Sequence, residues 1–231
     1  MKISTFTLFL ASIALFFSAC TLDKPILPKS TTSTTGTGTT GTGTNTSGSS
    51  GYYFKGTLAS QAFDWEVSSD NLSNWITGSE SSLFIFDKQE SGPLIADLGA
   101  AANNQQPEFQ IEFYQITVDS AASAQTKSAA FNSFIKPGSW SLATTYGLVD
   151  STKTLVIDYT DSNGTKYYSA GPQPTKTANI ISVTSVPADA NDNESLKIKI
   201  AFTCILYATD GSGKTIQLNN VDATVRLENL L

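Results

Sequence analysis

Between Ser195 and Tyr207 the residues alternate in type. Leu196, Ile198, Ile200, Phe202, Cys204 and Leu206 are apolar, and Lys197, Lys199, Ala201 and Thr203 stand between them. A period of two puts every second side chain on the same face of an extended chain, so this stretch reads as a β-strand with one buried face. The same pattern recurs along the chain. Tyr52 to Leu58 and Ala62 to Val67 read as a hairpin closed around Ala59-Ser60-Gln61, and Leu83 to Phe86 and Leu94 to Leu98 flank an expected turn at Ser91-Gly92-Pro93. Glu108 to Ile116 alternates Phe109, Ile111 and Phe113 with Glu108, Gln110 and Glu112, which predicts one buried and one wet face.

Further on, Leu155 to Thr160 and Thr165 to Ser169 bracket Asp161-Ser162-Asn163-Gly164, a turn sequence because Asn and Gly tolerate positive φ. Ile180 to Val186, Ser195 to Tyr207 and Thr215 to Leu227 are further strands. The period changes once. Ala124, Ala129, Ala130, Phe131 and Phe134 suit one short helix between Ser123 and Ile135, stopped by Lys136-Pro137-Gly138. The predicted fold is all-β, an antiparallel β-sandwich or jelly roll of about ten strands with one short helix.

The first residues follow a different logic. Ile3 to Ala19 carries no charge, is rich in Leu, Ile and Phe, and ends in Ser18-Ala19-Cys20 after a single Lys2. This predicts a signal peptide over residues 1–19, its apolar part too short for the roughly 20 residues that a spanning helix needs. Its end resembles a lipobox, which implies cleavage before Cys20 and acyl chains on that cysteine. Thr21 is not the Asp that commonly retains such proteins in the inner membrane, so the resemblance points to the outer membrane, on the periplasmic or the surface side. Thr31 to Ser50 contains only Thr, Ser and Gly apart from Asn45, and such a stretch cannot bury enough surface to offset its ordering entropy. Residues 20–50 are therefore expected to be a lipidated tether, and residues 51–231 one β-sandwich domain.

Composition prunes the chemistry. The chain has no histidine, which removes Ser-His-Asp and Cys-His catalysis and His-ligated metals. With 14 basic residues against 20 acidic ones, and Arg226 its single arginine, it is a poor partner for nucleic acid. Because Cys20 is assigned to the anchor, Cys204 has no partner and reads as a core thiol on its strand face. Ala208-Thr209-Asp210-Gly211-Ser212-Gly213-Lys214-Thr215 fits the loose phosphate-loop pattern, but alternating strand residues follow it instead of a helix, so it reads as a hairpin turn and no nucleotide is expected.

Two sets of residues remain as candidate sites. Asp158, Asp161 and Asn163, and Asp189, Asp192, Asn193 and Glu194, could offer hard oxygen ligands, but neither has calcium-loop spacing and both read as solvated turns, so no metal or other cofactor is expected. Glu108 and Glu112, four apart on a strand, would lie about 13 Å from each other, beyond the roughly 5–9.5 Å of glycosidase acid pairs. The aromatic residues Tyr52, Tyr53, Trp65, Trp75, Trp140, Tyr146, Tyr167 and Tyr168 could stack on sugar rings, with Trp75, Trp140, Tyr167 and Tyr168 the expected ligand contacts.

The lipobox, the Thr/Gly tether, and the hairpin Val156 to Ser169 ahead of a strand such as Ile200 to Cys204 together resemble small envelope lipoproteins of the Bacteroidota type. Asp119-Ser120-Ala121 and Asp150-Ser151-Thr152 resemble that group's short O-glycosylation motif. The resemblance implies a lipid-anchored envelope protein and carries over no catalytic residues. The expected function is non-enzymatic binding of carbohydrate or another surface ligand. The alternatives are a carboxylate-dependent hydrolase or a subunit of an envelope protein assembly.

Overall fold

The computed structural model describes residues 49–68, 75–101, 105–145, 153–174, 177–188 and 193–231. Cys20, the signal peptide, most of the tether, Tyr146, the Asp150-Ser151-Thr152 motif, Asp189 and Asp192 lie outside the described residues.

The chain opens with the hairpin of β1 (Ser49–Leu58) and β2 (Gln61–Ser68), so strand structure starts two residues inside the stretch assigned to the tether. Ala59 and Ser60 turn it, both with positive φ, as a two-residue hairpin loop requires. β3 (Trp75–Ser81), β4 (Phe84–Phe86), β5 (Gln89–Ala100) and β6 (Gln105–Asp119) follow. The turn between β4 and β5 is Asp87-Lys88, not the expected Ser91-Gly92-Pro93. Those three residues run inside β5, where the register slips between Gly92 and Leu94, and this irregularity accommodates a proline that cannot donate to the ladder.

Ser123 caps α1 (Ala124–Phe134) by accepting the Thr126 N–H, and Phe131 anchors the helix in the core. Then come β7 (Gly138–Leu142), β8 (Thr154–Thr160), β9 (Lys166–Tyr168), β10 (Thr177–Val186), β11 (Ser195–Ala208) and β12 (Thr215–Glu228). Cys204 is fully buried in β11, and burial raises the pKa of its thiol. Ala208 N–H donates to the Lys214 carbonyl at 2.9 Å, and Gly211 and Gly213 have positive φ, so the glycine-rich loop joins two strands and opens no helix.

The twelve strands of the described residues belong to one sheet, ordered β2-β1-β12-β11-β10-β7-β8-β6-β5-β3, with β4 on β5 and β9 bridging β11 and β8. The described pairings are antiparallel except β7 with β8. The fold is all-β and sandwich-like, and its two layers are halves of one sheet. Phe54 of β1 and Phe109 of β6, far apart in strand order, stack with ring centroids 4.3 Å apart. Trp65 and Trp75, from the two terminal strands of the path, stack at 4.0 Å. The core lies between these halves.

Two side chains complete ladders where strands do not reach. Ile205 of β11 lies past the end of its pairing with β10 and before that with β9. Gln173 accepts its N–H at 2.7 Å and donates to its carbonyl at 2.8 Å, so the side-chain amide takes the place of a peptide group. Ser79 of β3 accepts the Glu228 N–H at 2.9 Å and donates to the Arg226 carbonyl at 3.1 Å, along a stretch of β12 that β1 does not pair. Among the described residues, no helix is long and apolar enough to cross a membrane.

Candidate functional site: an acidic cavity on the outer face

The face of β5, β6 and β8 turned away from the core differs from the wet surface that the alternation predicts. Strand register sets Asp97 of β5 opposite Gln110 of β6, Gln110 opposite Asp158 of β8, and Asp158 opposite Tyr168 of β9. Glu108 and Glu112 flank Gln110 on the same face. Asp97 and Asp158 are each 7% exposed and Glu112 is 5% exposed, so three carboxyl groups are buried here. Tyr114 O–H donates to Glu112 Oε2 at 2.6 Å, and beside them Tyr114, Ala143 and Val156 form a small second apolar cluster. Gly78 leaves space for one of these acids: a Cβ at this position would come within 2.7 Å of Asp97 Oδ1.

Burial of acids this close together makes protons hard to lose. Desolvation, reinforced by Glu108 and Glu80, lifts the Asp97 pKa to about 7. Desolvation raises Asp158 further above the usual carboxylate range, aided by the charge of Glu112 and a hydrogen bond to it. Glu108 is raised by its own burial, against the opposing effect of a hydrogen bond from Gln110 at 3.4 Å.

A cavity of about 130 Å³ opens between β6, β8 and β9, lined by Glu108, Gln110, Asp158 and Thr160, with Lys166 and Tyr168 on its β9 side. Asp158 Oδ1 is buried there without a hydrogen-bond partner. A buried acceptor left unpaired is costly to the fold. Among the described residues, no three acidic or thiol side chains converge tightly enough to hold a metal ion.

Of the expected aromatic contacts, only Tyr168 lines this cavity. Trp140 is 1% exposed, its indole N–H donating to the Lys136 carbonyl and its ring set edge-on to Phe113 and Phe134, so it offers no face to a ligand. Tyr167 is on the core face of β9, tilted against Tyr159. Trp75 begins β3 and packs flat on Trp65. Asp161 Oδ1 accepts the Asn163 and Thr165 N–H groups at 2.8 and 2.9 Å, a turn that satisfies itself. Glu194 accepts from Ser128 and Asn132 and so fastens α1 to the start of β11.

Sequence reasoning placed Asp158 in a solvated turn and paired Glu112 with Glu108; Asp158 is instead buried within β8, and Asp97, which joins them, was missed although two of these acids left a signal. Leu94-Ile95-Ala96-Asp97-Leu98 and Leu155-Val156-Ile157-Asp158-Tyr159 are apolar on both strand faces, so an acid within either run has to be buried. Comparison with family models, with curated proteins and with solved structures finds no match for the chain.

Proposed function

We propose that this chain is a lipid-anchored envelope protein whose β-sandwich binds hydroxyl-rich glycan, without catalysis, through the cavity at Asp158. Sugar hydroxyls need closely spaced acceptors and donors, and Glu108, Gln110, Thr160 and Lys166 supply both within one small concavity. Tyr168 lies alongside, an aromatic residue of the kind that packs on sugar rings. The observation that carries the reading is the concavity itself, which gathers Glu108, Gln110, Asp158, Thr160, Lys166 and Tyr168 in one small space. Anchoring at Cys20 in the outer membrane rests on the Ser18-Ala19-Cys20 end of the leader. A glycan array probed with the full chain and with Glu108→Gln tests the binding: specific signals that fall in the variant are expected, and no signal, or one the variant leaves unchanged, refutes it.

One observation favours a second reading, a carboxylate-dependent hydrolase. Glu108 and Asp158 line the same cavity as diagonal neighbours across β6 and β8, a spacing of about 7–8 Å or less that lets their side chains approach one another, as the acid pairs of glycosidases must. Release of new reducing ends from an array-positive glycan, lost in Glu108→Gln, would favour it over binding alone. The assembly reading has less to rest on, because the large exposed apolar side chains among the described residues, Ile85 and Ile181, lie on separate strands, β4 and β10.

A further inference from the structure

Strand β10 is paired on both sides for only part of its length. β11 follows it as far as Val186, opposite Ser195, whereas β7, five residues long, stops at Gly138, opposite Ile180. Among the described residues, no strand pairs with residues 181–186 on the side that β7 leaves. An unpaired run of N–H and C=O groups is a template for another strand, and proteins commonly blunt it with charge. β2 and β3, at the two ends of the sheet, carry Asp64, Glu66 and Glu80. Thr177–Val186 has no charged residue, glycine or proline and is rich in Ile, Val and Thr; it exposes Ser182, Thr184, Ser185 and, to 47%, Ile181.

Helix α1 stands where the missing strand would be. It leads into β7 at Gly138, and Ser185 Oγ donates to Asn132 Oδ1 at 3.3 Å, so it lies beside the stretch that β7 does not reach. With Thr126, Ser128, Asn132 and Ser133 among its eleven residues and no acidic residue in its first turn, it is a poor helix on its own. Its fastenings are Phe131 and Ile135 in the core, the Lys127–Glu90 ion pair at 3.1 Å, and Glu194, which accepts from Ser128 at 2.6 Å and from Asn132.

We propose that the free edge of β10 is where a second copy of this chain pairs, strand to strand about a two-fold axis, and that α1 is the guard pinned beside it by Glu194. The occupant follows from charge. With 20 acidic residues against 14 basic ones, two copies repel each other, and an uncharged edge is where they can meet with no like charges opposed. Pairing β10 with itself sets the same edge of each copy against the other, so the assembly closes at two. Main-chain hydrogen bonds carry an interface of this kind, and it needs no broad apolar patch. A single strand pair is small, so the association is weak, and α1 weakens it further because apparent affinity scales with the fraction of molecules whose edge is open. The inference goes beyond the glycan reading and does not depend on it.

Hydrogen exchange of the full chain in detergent, followed over a range of protein concentrations, tests both parts. Amides within residues 181–186 should gain protection as concentration rises, and chemically cross-linked dimer should grow in step. Thr184→Lys, at an exposed position, sets a lysine on each strand of the pair and should abolish both effects with the fold intact. Glu194→Ala should bring the same protection at about tenfold lower concentration, the scale of one lost charge-assisted hydrogen bond to the helix, and Asn132→Ala is the second variant should that one not fold. Protection that grows with concentration but is unmoved by either variant keeps the pairing edge and overturns the guard. No concentration dependence in the parent or in either variant, or a dimer that protects another strand or that Thr184→Lys leaves unchanged, overturns the pairing edge itself.

Discussion

Ile205 sits in β11 where neither β10 nor β9 reaches it, and Gln173 pairs its peptide group instead. Gln173→Ala takes this partner from the Ile205 N–H and from the Ile205 and Ser169 carbonyls, so it should cost about 1–3 kcal/mol in denaturant unfolding. Gln173→Glu sets a carboxylate oxygen against those carbonyls in place of the donor and should cost at least as much. Asp97 gives a prediction in pH. Its pKa is about 7 in the folded chain against 3.8 as the ordinary value. The folded state therefore holds a proton that the unfolded state has lost, and stability from this residue falls as pH rises between those values. Asp97→Asn should remove that fall, making the variant more stable than the parent above pH 7 and little different below pH 3.8, as read from thermal unfolding across pH. Cys204, buried among Leu and Ile side chains, should resist thiol reagents until the protein unfolds.

At the scale of elements, the β4–β5 hairpin shows where the sequence could be read and where it could not. Pro93 and Gly92 are turn residues by type, yet the turn is Asp87-Lys88, because the sheet absorbs the proline at a register slip. Gly92 is there for space: a Cβ would come within 2.1 Å of the Ser82 carbonyl oxygen, so Gly92→Ala should cost about 1–3 kcal/mol. The β11–β12 loop is the opposite case, since its glycines, the absence of a following helix and the alternation on both sides were all legible. There Lys214→Ala should stay within about 0.5 kcal/mol in unfolding experiments, and Gly213→Ala, at positive φ, should cost more. Strands with one polar face announced themselves by period. β3 and β7 did not, because Trp75-Ile76-Thr77-Gly78 and Gly138-Ser139-Trp140 carry too few alternating residues to separate from loop.

At the scale of the whole molecule, the fold class could be read because alternation is local, whereas the cavity could not because it depends on register among strands far apart in sequence. Asp97, Gln110 and Asp158 become neighbours only once β5, β6 and β8 pair as they do. The alternation also promised a wet outer face on β6, while Glu112 on that face is buried under its neighbours. One sheet folded over a single core thus leaves an acidic, partly enclosed surface on the other side of β6 and β8, and the functional account depends on the state of Asp158 there. Carbon-13 NMR of the side-chain carboxyl groups in the full chain reads that state directly. The account predicts that Asp158 keeps its proton well above the ordinary carboxylate range. Titration of Asp158 in the ordinary range would contradict it.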